Sequence, residues 1–253
     1  SAMAEEGLLN ITGGCCGTTP DHIWAIRQAV GSRLPRPFKD SRAEDGQGRD
    51  NCFDHLTVSG LECVTIDKEK YNFTNVGERT NVAGSRKFAR LIAEGNQQQA
   101  LEIAAKQIED GASIIDINMD DAMLDSAREM ERFTRWISTD PSVAKAALMI
   151  DSSDWDTILA GLHNAQGKCI VNSISLKEGE ESFLHKALII KQLGAAVVVM
   201  AFDEQGQATT FDRKIEICSR AYRLLTEKVG MEPCDIIFDC NILSIGTGIA
   251  EHS

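Results

Sequence analysis

Ser113-Ile-Ile-Asp-Ile-Asn118 is a short β-branched run that stops at polar groups, and its neighbours repeat the design. Before it lies an amphipathic segment, Arg86 to Asp110, closed by Gly111; after it lies another, Leu124 to Ile137. Similar runs recur at Phe73 to Val76, Leu148 to Ile150, Cys169 to Val171, Ala195 to Met200 and Ile236 to Phe238. Between them stand the amphipathic segments Trp155 to Ala165, Ser182 to Leu193 and Arg213 to Val229, with Gly194 and Gly230 at helix-capping positions. Strands alternating with helices demand a parallel sheet covered by helices. An open doubly wound sheet gathers its site at one switch point, whereas a barrel recruits the ends of many strands. Here nearly every run ends on a polar group: Glu78, Asp116 and Asn118, Asp151, Asn172, Asp203 and Glu204, and Asp239. The expected fold is therefore α/β, a (β/α)8 TIM barrel. About six βα units fit before Ser253, so the barrel reads as incomplete.

Upstream of the repeats the pattern changes. Leu8-Leu-Asn-Ile11 is strand-like, Gly13-Gly-Cys-Cys-Gly17 is a turn, and Thr19-Pro20-Asp21 is a helix start, with Ile23, Ile26, Ala29 and Val30 on one apolar face. Pro35, Pro37 and the polar run Lys39 to Asp50 read as a linker, and Thr57 to Ile66 as a short hairpin around Gly60. The expected organisation is residues 1–34 (with Ser1-Ala2-Met3 as the scar of a cleaved tag), a linker and hairpin over 35–70, and the barrel over 71–253.

Composition removes several function classes. The net charge of −12 argues against a general nucleic-acid binder. No apolar run approaches the ~20 residues of a membrane span, and no secretory signal is visible, so a cytoplasmic protein with reduced thiols is expected. Gly246-Thr-Gly248 lacks the third glycine of a dinucleotide loop, and no Gly-Lys-Ser/Thr follows a strand. His22, His55 and His163 read as surface residues.

The strand-end set is rich in carboxylates and amides and poor in cations, which suits a neutral heterocycle bearing N–H donors. The alternative is that each Asp or Asn caps its own following helix. Shared use at five strand ends favours a common site. Cys15 and Cys16 are a second signal: adjacent thiols can reach one metal, but zinc wants four ligands, or three and an open position, so a buried structural pair is the other reading.

Asn75-Val-Gly-Glu-Arg-Thr-Asn81, Asp116-Ile-Asn-Met-Asp120, Ile150-Asp-Ser-Ser153, Val171-Asn-Ser-Ile-Ser-Leu-Lys177, Val199-Met-Ala-Phe-Asp-Glu-Gln-Gly-Gln-Ala208 and Ile237-Phe-Asp239 closely resemble the cobalamin-dependent methionine synthases. Residues 71–253 look like the folate-binding barrel of that family, and the Gly13-to-His22 stretch like the tail of its homocysteine-binding barrel. The resemblance implies a methyltransferase that binds 5-methyltetrahydrofolate and presents its N5-methyl to cob(I)alamin carried by another domain. By the same resemblance Asp151, Asn172 and Asp239 hold the pterin ring, Glu78, Asn81 and Ser85 line it, and Asp116 and Asp120 belong to the rim. Cys15 and Cys16 correspond to two of three zinc-bound cysteines of the homocysteine site. Implied partners are the cobalamin- and homocysteine-binding domains of one parent polypeptide. A dihydropteroate synthase-like pterin enzyme and a non-catalytic folate-binding module are the rival expectations.

Overall fold

The structure, a computed structural model, describes residues 12–30, 55–67, 69–70 and 73–242. The expected strand at Leu8–Ile11, the linker over 35–50 and the Gly246–Gly248 loop lie outside these residues. The chain divides into two compact units, Ser1–Asp50 and Asn51–Ser253.

In the first unit the helix α1 spans Pro20–Val30 and starts at the expected proline. At its N-terminus His22 Nδ1 accepts the Thr19 N–H at 3.1 Å. The expected apolar face is not buried in the structure: none of the helix residues is buried, and Trp24 is 64% exposed.

The second unit opens with an antiparallel hairpin, β1 (Leu56–Ser59) and β2 (Cys63–Ile66). The strands β3 (Val76–Asn81), β4 (Ile114–Asn118), β5 (Ala147–Asp151), β6 (Ile170–Ile174), β7 (Ala196–Met200) and β10 (Ile236–Asp239) then form one parallel sheet. Each strand pairs with the next one of that series, with no reversal of order. That unidirectional winding is the habit of a barrel; a doubly wound sheet reverses at its centre. A small ribbon, β8 (Phe202–Asp203) with β9 (Gly206–Gln207), decorates the loop after β7.

Helices separate the strands. They are α2 (Arg86–Ala93), α3 (Gln97–Glu109), α4 (Ser126–Ser138), the short α5 (Pro141–Ala144), α6 (Trp155–Asn164), α7 (Glu180–Gln192) and α8 (Phe211–Arg223), which runs on through a π-helical turn to Val229. The single helix expected over Arg86 to Asp110 is two helices. The chain takes a positive φ of 69° at Gly95, and Asn96 caps the second helix through Gln99. The first strand also lies later than expected: Phe73 is 81% exposed, and pairing begins at Val76.

Alternation along each strand divides the interior in two. Outward residues such as Ile115, Ile117, Leu148, Ile150, Val171, Val197 and Val199 join the helix faces in one large core. Phe88 and Phe133 meet edge-on there, with ring centroids 5.1 Å apart. Inward residues at the strand starts form a separate cluster, in which Ile114, Ala147, Ile170 and Ala196 pack with Leu56 and Val58 of β1. The hairpin therefore stoppers the N-terminal end of the strand array, and it belongs to the barrel unit.

Gly60 in the hairpin turn makes this closure possible. A Cβ there would lie 2.3 Å or less from the carbonyl oxygens of Ala144 and Ala146, which are backbone atoms and cannot swing aside. Leu61 N–H donates to the Ala144 carbonyl at 2.9 Å across the same contact. Gly60→Ala should accordingly lower stability by about 1–3 kcal/mol through overpacking, read as a fall in the urea midpoint. An unchanged midpoint would show that the hairpin does not seat against that segment.

Candidate functional site

The inward rows become polar above the apolar floor. In β4 the inward residues are Ile114, Asp116 and Asn118, all buried. Asp116 is 3% exposed. In β5 the inward row climbs from Ala147 through Met149 to Asp151, which lies opposite Asn118 on β4 and Asn172 on β6. Asn118 Nδ2 donates to Asp151 Oδ2 at 2.9 Å, while its own Oδ1 accepts the Asp120 N–H at 2.8 Å.

β3 delivers its residues through a bulge. Regular pairing with β4 is interrupted between Gly77 and Thr80, so Glu78 and Asn81, three residues apart, can share a face. The orphaned Arg79 N–H donates to Gln107 Oε1 of α3 at 2.6 Å. Gln107 Nε2 in turn donates to Thr80 Oγ1, whose hydroxyl donates to the Asp116 carbonyl.

Asp116, Asp151 and Asn172 come together inside the strand array, and Glu78, which is exposed on β3, acts on both acids. Burial pushes the Asp116 carboxyl up to about 8, and the Asp151 and Glu78 carboxylates push the same way. The Asn172 side chain bonds to it and opposes the rise; since β5 lies between β4 and β6, that bond reaches across the interior. Burial also raises the Asp151 carboxyl, the Asn118 bond counteracts this, and Asp120 and Glu78 add to the rise. No cation contributes to either shift.

Asp120 stands at the rim and is held by β5's end: Ser152 Oγ donates to it at 2.5 Å, and the N–H and Oγ of Ser153 at 2.7 and 2.8 Å. A pocket of about 380 Å³ opens here, lined by Asn118, Asp120, Asp151, Ser152 and Ser153 on one wall and Ser173, Ser175, Lys177, Glu178 and Lys186 on the other. The expected poverty in cations is thus corrected on the β6–α7 side, where two lysines face the pocket.

Other expected residues bond locally. Asn81 Oδ1 accepts the Gly84 N–H at 3.0 Å, and Ser85 Oγ caps α2 through the Phe88 N–H at 3.3 Å. Asp239 ends β10 and accepts the Asn241 N–H at 2.8 Å. Asp203 and Glu204 have cations of their own: Arg213 lies 2.7 Å from Asp203, and Arg220 bridges both oxygens of Glu204 at 2.9 Å. Asn118, Ser152, Ser153 and Lys177 were missed as site residues. Asn118 had a signal, since it is two residues beyond Asp116 on one strand and must share its face.

Cys15 and Cys16 are exposed rather than a buried pair, with their sulfurs 3.9 Å apart. Among the described residues no third His, Cys, Asp or Glu joins them, so the set present does not complete a tetrahedral zinc site. Likewise, no helix among the described residues is long and apolar enough to cross a membrane.

A family model described as pterin binding enzyme matches residues 77–253. The chain belongs to the pterin-binding enzyme family. That assignment covers the whole parallel sheet apart from Val76 and includes every residue of the polar interior described above. A second family model, described as homocysteine S-methyltransferase, matches residues 1–30. Among solved structures, a Yersinia pestis DHPS with a pterine-sulfa conjugate is similar at 16% identity and a TM-score of 0.46. The match covers 73% of this chain, which spans 65% of that protein's length.

The raised Asp116 carboxyl has a consequence for this pterin-binding family member that can be measured without ligand. A folded-state value of about 8 against an ordinary value of 3.8 means that the native state holds a proton the unfolded chain releases. That contribution is fully present below about pH 4 and is lost as pH rises through about 8. Asp116→Asn, neutral throughout, should raise stability progressively as pH climbs from about 4 to about 8, by at most about 1.4 kcal/mol per pH unit, with the gain gone near pH 4. Thermal melts of both proteins across pH 5–9 check this; a pH-independent difference would contradict it.

Proposed function

We propose that this chain binds 5-methyltetrahydrofolate at the C-terminal ends of the barrel strands and presents its N5-methyl for transfer to cob(I)alamin on another domain. The observation that carries the reading is the inward pair Asp116 and Asp151, flanked by Asn172 and Glu78; both acids are raised, with no cation among the causes. Such a set suits a neutral amino-pyrimidinone ring, which offers N–H donors to carboxylate and amide oxygens. Membership of the pterin-binding family supports the same ligand class. The match of residues 1–30 to homocysteine S-methyltransferases supports methyl transfer over the other reactions open to a pterin enzyme.

In this reading Asp151 and Asn172 orient the ring, Asp239 closes it from β10, and Glu78, Asn81, Ser85 and Asp120 border the mouth. N5 must gain positive character before its methyl leaves, because a neutral tertiary amine would otherwise depart as an anion. Asp116 retains a proton to about pH 8 and can share it with the ligand, while the neighbouring carboxylates favour positive charge developing at N5. The cobalt nucleophile would be supplied with the cobalamin domain; the barrel contributes position and field. Cys15 and Cys16 would be two thiolates of a zinc site completed elsewhere in a parent polypeptide.

The reading is tested by titrating the protein with 5-methyltetrahydrofolate and then adding cob(I)alamin. Binding followed by loss of the folate methyl supports the transferase. Binding without demethylation leaves a folate-binding module, and failure to bind overturns the proposal. Asp151→Asn should weaken folate binding by about 1.5–3 kcal/mol, the value of a bond to a charged group, in calorimetric titrations. Affinity that survives while the melting temperature falls would make Asp151 a purely structural residue.

A further inference from the structure

The pocket at the barrel mouth is polarised, and the folate reading explains one half of it. In that reading the side lined by Asn118, Asp120 and Asp151 meets the heterocycle. The other side, built by the turn after β6 and by α7, carries Lys177 from the turn and Lys186 from the helix. In a chain of net charge −12, two lysines on one side of an acidic cavity call for an account.

Their charges are not equivalent. Lys186 Nζ donates to Glu178 Oε2 at 2.6 Å, and Ser182 Oγ donates to the same oxygen at 2.9 Å. Those bonds hold the Glu178 carboxyl below its ordinary range, so its negative charge is matched by Lys186. Lys177 is exposed, makes no ion pair among the described residues, and rests with its ammonium 5.5 Å from the centre of the Phe202 ring. Beneath it, Ser175 Oγ accepts the Lys177 N–H at 3.4 Å, which fixes the start of the turn on the end of β6. With Lys186 and Glu178 cancelling, this wall keeps one positive charge, and it faces the same 380 Å³ space as Asp151.

We propose that Lys177, with the Ser173 and Ser175 hydroxyls beside it, forms a subsite for the anionic tail of the bound ligand, namely the glutamyl carboxylates of a folate. This rests on the folate reading above. The neutral ring is read by the carboxylate wall, and the tail, which that wall would repel, is turned toward the lysine. The subsite then discriminates by tail charge while leaving recognition of the ring unaltered.

The test compares three ligands on the wild type and on Lys177→Ala: 5-methyltetrahydrofolate with one glutamate, its triglutamate, and tail-less 6-methyltetrahydropterin. The substitution should weaken the monoglutamate about 3- to 5-fold, as expected for an exposed charge pair, weaken the triglutamate more, and leave the tail-less pterin unchanged. The preference for tailed ligands should also shrink in high salt in the wild type. Lys177→Glu should act in the same direction and more strongly. Equal weakening of all three ligands, or of none, overturns the subsite. A pterin pyrophosphate is the remaining arm: if Lys177→Ala weakens that ligand alone, the lysine serves a phosphate and the proposal falls. Wild-type protein that binds the pterin head yet ignores the tail also removes the subsite while sparing the ring site. Wild-type protein that binds none of these ligands removes the folate reading and this one together.

Discussion

The Asp116 carboxyl lies within the strand array, with the Asp151 and Glu78 carboxylates acting on it and no cation among the causes of its shift. An unpaired buried carboxylate is costly, and the least expensive escape is to keep its proton. Much of the surrounding architecture manages this one group. Asn172 reaches across the interior to bond it, Asn118 occupies Asp151, and Ser152 and Ser153 occupy Asp120. The same fold shows that a cation could have been provided, since Asp203 and Glu204, in the loop after β7, are each paired with an arginine. The lack of one beside Asp116 is therefore a property of that place and not of the chain's charge balance.

Such an interior can persist because it does not hold the fold together. The outward rows of the strands and the helix faces form the main core, and the apolar floor closed by Leu56 and Val58 seals the opposite end. The polar rows sit between that floor and the mouth. At the bulge of β3, Thr80 and Gln107 of α3 together absorb backbone groups that irregular pairing leaves over.

The fold class was legible because parallel strands buried on both sides are short, β-branched and separated by helices, and because their polar ends recur. Helix starts were legible where a proline or capping side chain marked them, as at Pro20. The break at Gly95 was not, since both halves of Arg86 to Asp110 keep one apolar period. The exposure of α1's apolar face could not be read either, because periodicity records which residues share a face and not whether anything covers it. At the mouth, residue type identified the carboxylates, but whether a carboxylate points inward or caps its own turn depends on phase. Asn81 and Asp239 show the difficulty, as both bond to the turn they begin. The bulge in β3 hides phase altogether from a reader counting in twos, and Lys177 of the β6–α7 turn carries no periodic signal.

One residue separates oil from water along β4: Ile115 and Ile117 face the helices, while Asp116 and Asn118 between and beside them face the mouth. Packing and recognition are thus written on interleaved positions of one strand and draw on different neighbours. Drift at the mouth need not be purchased with a weaker scaffold, and repacking under the helices need not disturb what the mouth selects. A lineage carrying this sheet could exchange one ligand for another by changing alternate letters, with the hidden rows inherited intact.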